Sequence, residues 1–553
     1  MSQDTLRHPT LKCLLRGKPS TSTVQFRNLK YASIPGRWQD SSPNGSLRPL
    51  ADGLYDATKF GPSCPQGRAG QAWDLTLVGN VSMPLGEGHG EKEWMDENEC
   101  LNVNVTVPKA ALEERGKAKG LPVFVWVHGG GLSIGSNSWP QYNLTRLIER
   151  SIEIGKPVIG VSINYRLGVL GFLTSRELGT DGNYGFKDQL LAFRWVKKHI
   201  AGFGGDPNNI TAAAESAGGI SLSTLLCADV GEGLFDRVVI MSGETTLRKP
   251  RSRAWHEEMY QDQLKLLSLQ EANVGERTRI LRSMPAEELQ SKLPLAQHFC
   301  ACVDGKFLKE DVTLSRLSNG KRRQHKPAWC KEFVIGDTAH DGTCLKTRIL
   351  DNPKAFALLK SLCDRHLTSS ETANLLSAYN LPAPSAEQEK HTLLELASEL
   401  RFYLPTLAVH VGWKNVSPPK LARRYHFHVP NPVEGAFKGL SSHELDVTFL
   451  LQNFNEHFDE RGREVAQQMA DQWITFANGE DWCDVGKVVV IGNEGVVKVD
   501  EEAYDDRFRG GRGKVLESIG AQKLWKVAEL WQGVRSDIGG TDTTRYDYGS
   551  AKL

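Results

Sequence analysis

The sequence predicts an α/β protein built on a mostly parallel β-sheet with helices on both faces. Two observations predict it: short runs rich in Val and Ile recur along the chain, and patterns of helical period lie between them. Strands that alternate with helices form parallel sheets, because a parallel pair needs a long crossover connection. Ligands of such folds bind at the carboxyl ends of the strands, and we expect the function to lie there.

The elements are identified by the period of their apolar residues. The strand-like runs are 123–127, 157–163, 237–240, 333–335 and 425–429. In the predicted helix over 188–203, Leu190, Phe193, Val196 and Ile200 recur at helical spacing and share one face. A second stripe of this kind lies in AQKLWKVAELW near the end of the chain.

No repeat, low-complexity tract or long linker divides the chain, and we predict a single domain over 1–553. Two segments, about 251–321 and 353–400, are charged, Leu-rich and helical in pattern. We interpret them as helical insertions that shape the substrate pocket. A packing layer beside the sheet is equally compatible with the pattern.

The charge balance excludes some partners. Of 553 residues, 67 are Lys or Arg and 66 are Asp or Glu, so the net charge of +1 offers no basic surface for nucleic acid. No apolar run is long enough to span a membrane, and the amino terminus lacks the pattern of a signal peptide. We therefore expect an intracellular protein. The oligomeric state is not predicted.

The carboxyl-terminal residues Ala551, Lys552 and Leu553 are close to the Ser-Lys-Leu address of peroxisomal proteins. A frayed polar tail is the alternative. The predicted location is therefore cytoplasmic or peroxisomal. The ten cysteines match neither a disulfide scaffold nor a zinc spacing, so no metal site is predicted.

A nucleophile elbow is predicted where the strand-like residues 210–213 meet an apolar helix. Ser216 stands between Glu215 and Ala217 in AESAGG, in the strand, turn and helix context of such an elbow. Neighbouring residues must be small, because two backbone segments approach closely there. Ala214 replaces the first Gly of G-x-S-x-G, and we expect its methyl group to be tolerated. A helix-capping serine is the alternative for this motif alone.

A run of three glycines earlier in the chain supports the elbow. The run VFVWV leads into His128, Gly129, Gly130 and Gly131. Successive glycines expose backbone N–H groups with no side chain in the way, as a developing oxyanion requires. A flexible glycine turn is the alternative.

A serine nucleophile needs an imidazole to accept its proton and a carboxylate to orient that imidazole. In this fold class the chain order is Ser, acid, His. His443 lies in a polar loop before an apolar helix and is the predicted base. Asp337 and Asp341 both follow the strand-like run 333–335, and the residues alone leave the choice between them open.

These motifs resemble the type-B carboxylesterase and cholinesterase-like lipase family, from about Val24 to the final helix. In order, they are YASIP, FGPSCPQ, ENECLNVNV, VWVHGGG, NYRLGVLGF, GNYGFKDQ, FGGDPNNIT, ESAGG and VIMSG. The resemblance implies an α/β-hydrolase fold and hydrolysis of carboxylic esters through an acyl-serine intermediate. It also implies that no metal or organic cofactor is needed.

The resemblance assigns roles residue by residue. It implies that Ser216 is the nucleophile and His443 the base. It selects Asp341, which precedes Gly342, because the family's acid stands directly before a Gly. The family usually has Glu there, one methylene longer than Asp.

The resemblance also implies that the backbone N–H groups of Gly130, Gly131 and Ala217 form the oxyanion hole. Glu215 and Ser242 match residues that support the triad. Cys64 and Cys100 match a pair that is disulfide-bonded in secreted members. Without an export signal, the chain would stay where thiols are kept reduced. We therefore do not predict whether Cys64 and Cys100 form a disulfide.

Three functions are weighed. Serine ester hydrolysis of a small-molecule ester is the first. The second is transfer of the same acyl group to a metabolite, as an acyltransferase or cyclase does. The third is a non-catalytic cholinesterase-like binding domain, although such relatives typically lack the serine that this chain has at Ser216.

Overall fold

The computed structural model describes residues 4–44, 47, 53–114, 119–294, 297–417 and 420–533. The carboxyl-terminal Ala551–Leu553 lies outside the described residues, so the peroxisomal address stays a prediction. No helix in the described ranges is long and apolar enough to cross a membrane.

The described strands run as follows: β1 Thr5–His8, β2 Cys13–Pro19, β3 Thr23–Lys30, β4 Ala32–Ser33, β5 Ser42–Pro43, β6 Leu54–Ala57, β7 Asn102–Pro108, β8 Leu121–Val127, β9 Ile159–Ile163, β10 Thr174–Ser175, β11 Thr180–Asp181, β12 Gly205–Glu215, β13 Arg237–Met241, β14 Arg251–Ser252, β15 Cys302–Val303, β16 Glu332–Thr338, β17 Leu421–Phe427, β18 Lys487–Gly492 and β19 Gly495–Asp500.

The described α-helices are α1 Gly70–Leu75, α2 Lys109–Glu114, α3 Thr145–Glu153, α4 Gly168–Phe172, α5 Tyr184–His199, α6 Ala217–Cys227, α7 Arg253–Leu266, α8 Val274–Ser283, α9 Ala286–Ser291, α10 Leu314–Ser318, α11 Lys346–Ile349, α12 Ala355–His366, α13 Ser369–Ala378, α14 Ala386–Ser398, α15 Leu404–Lys414, α16 Leu445–Leu451, α17 Glu460–Ala477, α18 Glu501–Phe508, α19 Arg512–Ile519 and α20 Ala521–Gln532. Short 3₁₀ turns lie at Pro140–Tyr142, Ile200–Phe203, Asp341–Leu345 and Asn455–His457, and Glu399–Tyr403 is a π-helical turn.

One large mixed sheet organises the chain. Its strand order is β1-β2-β3-β7-β9-β8-β12-β13-β16-β17-β18-β19, with β6 beside β2. From β9 to β18 every neighbouring pair is parallel, whereas the other pairs along this order are antiparallel, and β6 runs parallel to β2. The predicted mostly parallel α/β sheet is therefore confirmed.

The central strands are buried on both faces, which explains their continuous apolar runs. All five residues of β9 are buried, and so are the last four of β13. The predicted apolar face of helix α5 packs against the core, and Phe193 and Val196 are fully buried. The strand predicted at 425–429 instead spans Leu421–Phe427, because Arg423 and Arg424 of its polar first half pair in register with β16.

The two helical insertions differ in what they contact. The first contains α7 to α10. Residues of α9 and of the segment after it line a cavity described below. The second, with α12 to α14, packs with α19 and α20 in a separate apolar cluster. The first insertion therefore shapes a pocket, and the second is mainly a packing layer.

Candidate active site

The residues predicted for the site come together at the carboxyl edge of the sheet. The glycine run follows β8, Ser216 follows β12, and Asp341 follows β16. His443 lies between β17 and α16. These strands are neighbours or near neighbours in the sheet. Parallel pairing thus gathers distant parts of the chain at one edge.

The nucleophile elbow forms as predicted. Ser216 stands between β12 and α6 with φ 51° and ψ −122°, a strained conformation for a residue with a β-carbon. Its N–H donates to the carbonyl of Met241 at 2.9 Å, which ties the turn to the neighbouring strand. Ser216 is half-buried, so its side chain is accessible. Ala214 lies inside β12, where no positive φ is needed, and its methyl group is accommodated.

Close backbone packing explains why small residues surround the elbow. A methyl group on Gly218 would lie 2.2 Å from the carbonyl oxygen of Val127. One on Gly243 would lie 2.1 Å from the carbonyl oxygen of Ser216. Both separations are far below van der Waals contact, so only glycine fits without backbone movement.

His443 is held by Asp341. The Nδ1 atom of His443 lies 2.7 Å from Oδ1 of Asp341, and both side chains are buried. The other carboxylate oxygen accepts the N–H of Thr338 at 2.9 Å, and the N–H of His443 donates to Thr343 Oγ1 at 2.9 Å. An N–H at Nδ1 leaves Nε2 free to accept a proton. The shorter Asp side chain therefore reaches the histidine without a longer Glu.

Asp337, the alternative acid, is committed elsewhere. Its Oδ1 lies 2.7 Å from His426 Nδ1 and 3.1 Å from Arg509 Nη2, and all three side chains are buried. Burial by itself would raise the pKa of Asp337, but the charges of His426 and Arg509 outweigh burial and leave that pKa below its ordinary value. The residues alone left open which of the two aspartates is the acid, and the tertiary structure decides between them.

The Nε2 atom of His443 faces the residue before the serine. It lies 3.0 Å from Oε1 of Glu215, although the two atoms lack the alignment of a hydrogen bond. Within the described part of the chain, no hydrogen bond joins His443 to Ser216 Oγ. Glu215 and Ser216 are consecutive residues, so the imidazole lies close to the elbow without a hydrogen bond to Ser216 Oγ. Such bonds are often loose in unliganded enzymes.

Three backbone N–H groups near Ser216 are available to an oxyanion. In the described ranges, the amides of Gly130, Gly131 and Ala217 donate to no protein acceptor. Gly130 and Gly131 have φ of 90° and 60°, which favour glycine. A methyl group on Gly129 would lie 3.2 Å from the β-carbon of Ser216, so the run packs directly against the elbow.

A cluster of buried acids surrounds Glu215. Burial, followed by the charges of Glu444, Asp446, Asp341 and Asp74, raises the pKa of Glu215 well above its ordinary value. Burial also raises the pKa of Asp74 to about 6 and that of Asp446 to about 7. Glu215 therefore keeps its proton to a higher pH than an exposed Glu does, and it presents this carboxyl group to His443.

The sequence did not predict the bridge between Tyr142, Asp74 and Glu444. The tyrosine hydroxyl lies 2.8 Å from Asp74 Oδ2 and also contacts Glu444. A hydroxyl carries one proton, so one of these two contacts requires a protonated carboxyl. Glu444 follows the predicted base directly, but this adjacency gives no hint that residues 74 and 142 lie near it.

Ser242 has no contact with the acid. It follows β13 with φ 45°, and its N–H donates to the carbonyl of Gly336 at 2.9 Å. Its buried Oγ bonds to no described group. The supporting role that the resemblance implies for Ser242 stays a prediction.

Cys64 and Cys100 are neighbouring thiols in the structure. The Sγ of Cys64 accepts the N–H of Leu167 at 3.2 Å. A hydrogen bond with Cys64, and then burial, raises the pKa of Cys100 well above its ordinary value.

A cavity of about 320 Å³ lies next to the glycine run. Three parts of the chain line it: Gly67, Arg68, Ala69, Gly70 and Trp73; Ser133 and Ile134 after the glycines; and Gln290, Ser291, Leu293, Pro294 and Phe299. The lining is mostly apolar. This cavity has the size and lining of a small-molecule site.

Comparison with known proteins agrees with this geometry. A family model described as the carboxylesterase family matches residues 12–484. Lipase 3 of Yarrowia lipolytica is 29% identical over 471 residues, which cover 83% of this chain and 86% of that protein. Para-nitrobenzyl esterase of Bacillus subtilis is 26% identical over 523 residues, which cover 90% of this chain and 92% of that protein.

Solved structures share the fold. A PNB esterase structure superposes with a TM-score of 0.70 at 22% identity and covers 93% of this chain and 100% of its own. The Geobacillus stearothermophilus carboxylesterase EST55 gives a TM-score of 0.70 at 24% identity, with the same coverage of the two chains. The α/β-hydrolase fold is therefore confirmed.

Proposed function

The chain belongs to the type-B carboxylesterase family and is a serine ester hydrolase, and from this premise we propose that Ser216, His443 and Asp341 carry out the reaction. One observation supports the proposal: His443 Nδ1 lies 2.7 Å from Asp341 Oδ1, so an acid orients the base near the strained, accessible serine.

The first half of the reaction forms an acyl-enzyme. Ser216 Oγ attacks the ester carbonyl carbon while its proton passes to Nε2 of His443. Asp341 stabilises the imidazolium that forms. The carbonyl oxygen becomes an oxyanion, which the N–H groups of Gly130, Gly131 and Ala217 stabilise, each donor being worth about 3 to 4 kcal/mol in comparable sites.

Departure of the alcohol completes the acyl-enzyme, and the second half of the reaction then regenerates the free enzyme. The C–O bond to the alcohol breaks, and the departing oxygen takes the proton from Nε2. Water then attacks the acyl-serine, giving a proton to Nε2, and the second tetrahedral intermediate releases the carboxylic acid as Ser216 regains its proton.

Glu215 supports this cycle as the group that faces Nε2 of His443, 3.0 Å away. Burial in the acid cluster raises the pKa of its carboxyl and so favours the protonated form. Nε2 is therefore left free to move into hydrogen-bond reach of Ser216 Oγ when substrate binds.

The experiment is turnover of p-nitrophenyl butyrate, combined with labelling by a fluorophosphonate. Wild type should show a burst and a mass increase on the Ser216 peptide, and Ser216→Ala should lose both. Ser221→Ala is the matched control: Ser221 lies on the same helix, is buried, and donates to the Ala217 carbonyl at 2.7 Å. A label on any other residue, or turnover by Ser216→Ala, contradicts the proposal.

A further inference from the structure

A partly exposed cation adjoins the glycine run. Arg248 follows the turn after β13, and its Nη1 donates to the carbonyl oxygens of Gln297 and Phe299, at 3.2 Å each. A methyl group on Gly131 would lie 3.1 Å from the other terminal nitrogen, Nη2. The guanidinium thus stands against one of the proposed oxyanion donors.

The charge of Arg248 is not balanced by an acid. Among the described residues, no carboxylate lies within ion-pair distance of it, and its described partners are carbonyl oxygens. Arg166, by contrast, meets the carboxylate of Asp188 at 2.7 Å. Burial lowers the pKa of Arg248, and the groups that counteract this effect are thiols. Part of the Arg248 side chain stays accessible, so a guanidinium that has no acidic partner can meet the carboxylate of a ligand there.

A second cation adds to the positive charge near Arg248. Arg401 is buried, and its Nη2 donates to the carbonyl of Leu247, the residue before Arg248, at 2.5 Å. The acid nearest in sequence, Glu244, accepts the N–H of Thr246 at 2.8 Å within its own turn. Burial also raises the pKa of Glu244. A second guanidinium therefore lies close to Arg248, and the described hydrogen bonds of the Glu244 carboxylate go to Thr246 rather than to either arginine.

The position of Arg248 indicates which part of a substrate it meets. The departing alcohol oxygen must lie toward His443, which gives it a proton. The acyl chain leaves the same carbonyl carbon in another direction, away from His443. Arg248 lies against Gly131 and donates to the carbonyl oxygen of Phe299. Phe299 also lines the cavity beside the glycine run. The acyl chain is therefore the part that reaches the guanidinium.

We propose that Arg248 binds a carboxylate carried by the acyl part of the ester, so that the preferred substrates are monoesters of short dicarboxylic acids. The proposal rests on the proposed function of Ser216. A guanidinium binds a carboxylate through two parallel hydrogen bonds, and hydrogen bonds to charged groups are worth about ten- to a hundredfold in affinity. The same contact fixes the distance from the carboxylate to the scissile carbonyl.

The test compares mono-p-nitrophenyl esters of succinic, glutaric and adipic acid with the corresponding methyl p-nitrophenyl diesters. With wild-type enzyme, kcat/KM should favour the charged ester by about ten- to a hundredfold for at least one chain length. Hydrolysis by Ser216→Ala gives the intramolecular background and is subtracted. A pair with the carboxylate on the alcohol part, butyrate esters of p-hydroxybenzoic acid and of its methyl ester, should show no such preference.

Arg248→Met should abolish the preference, and Arg248→Lys should retain part of it. The ratio between charged and neutral esters is the readout, so a loss common to both substrates does not affect it. Arg68→Met is the matched control, because Arg68 also lines the cavity but is already paired with Glu287; this variant should keep the preference.

Glutarate should also inhibit hydrolysis of p-nitrophenyl butyrate by wild type far better than by Arg248→Met. Equal rates for charged and neutral esters in wild type overturn the inference, and so does a preference that survives in Arg248→Met. Equal loss of both activities in Arg248→Met, without a change in their ratio, shows that Arg248 only anchors the 297–299 segment. Turnover by Ser216→Ala would instead refute the proposed function and leave these ratios uninterpreted.

Discussion

Asp341→Asn tests the triad most sharply, because it removes a charge while it preserves the shape of the side chain. Asp341 accepts two hydrogen bonds, from His443 Nδ1 at 2.7 Å and from the Thr338 N–H at 2.9 Å. An Asn has one acceptor oxygen. If that oxygen keeps the Thr338 N–H, its NH₂ group faces Nδ1, and the imidazole must carry its proton on Nε2 instead.

The imidazole in that tautomer cannot accept the serine proton. In a comparable triad the equivalent change lowers kcat about ten-thousandfold, which corresponds to about 5.5 kcal/mol at 1.36 kcal/mol per tenfold. We therefore expect kcat for p-nitrophenyl butyrate to fall by about four orders of magnitude with little change in KM. Steady-state kinetics would be measured together with thermal unfolding, so that loss of folded enzyme is separated from loss of catalysis.

Asp337→Asn is the matched control, since Asp337 is equally buried and also contacts a histidine. It removes one of the two buried carboxylates that Arg509 meets, the other being Glu399 at 3.4 Å, so the loss should appear in the free energy of unfolding, by about 1 to 3 kcal/mol. The folded fraction should keep kcat within a few-fold of wild type. The reasoning fails if Asp341→Asn retains more than a tenth of wild-type kcat, or if the folded Asp337 variant loses as much as the Asp341 variant.

Two further changes test the elbow and the acid cluster. Gly243→Ala places a methyl group 2.1 Å from the Ser216 carbonyl, so we expect kcat to fall at least tenfold and the unfolding free energy to fall by about 1 to 3 kcal/mol; Gly492→Ala, which meets nothing within 4 Å, should change neither. Glu215→Gln replaces a carboxyl whose pKa burial raises, and wild type loses stability as pH rises above the ordinary Glu pKa of about 4.3. The stability of the Gln variant relative to wild type should therefore increase between pH 5 and pH 8 in urea unfolding, and a difference that stays constant with pH would show that Glu215 is charged.

The local parts of the site could be read from the sequence because their chemistry is local. A serine among small residues after a strand, and three glycines after another strand, are short-range patterns set by backbone sterics. The structure forms both, with φ 51° at Ser216 and 90° at Gly130. The alternation of strands and helices likewise predicted the parallel sheet, because hydrophobic period follows from local geometry.

Other features depend on contacts between residues far apart in the chain, and only the tertiary structure decided them. Asp337 and Asp341 lie on one loop with the same functional group, and they differ only because His426 and Arg509 meet the first while His443 meets the second. The raised pKa of Glu215 likewise comes from burial and from acids gathered from distant segments. Burial and charge depend on what packs around a group in three dimensions, and no local pattern in one sequence encodes that surrounding.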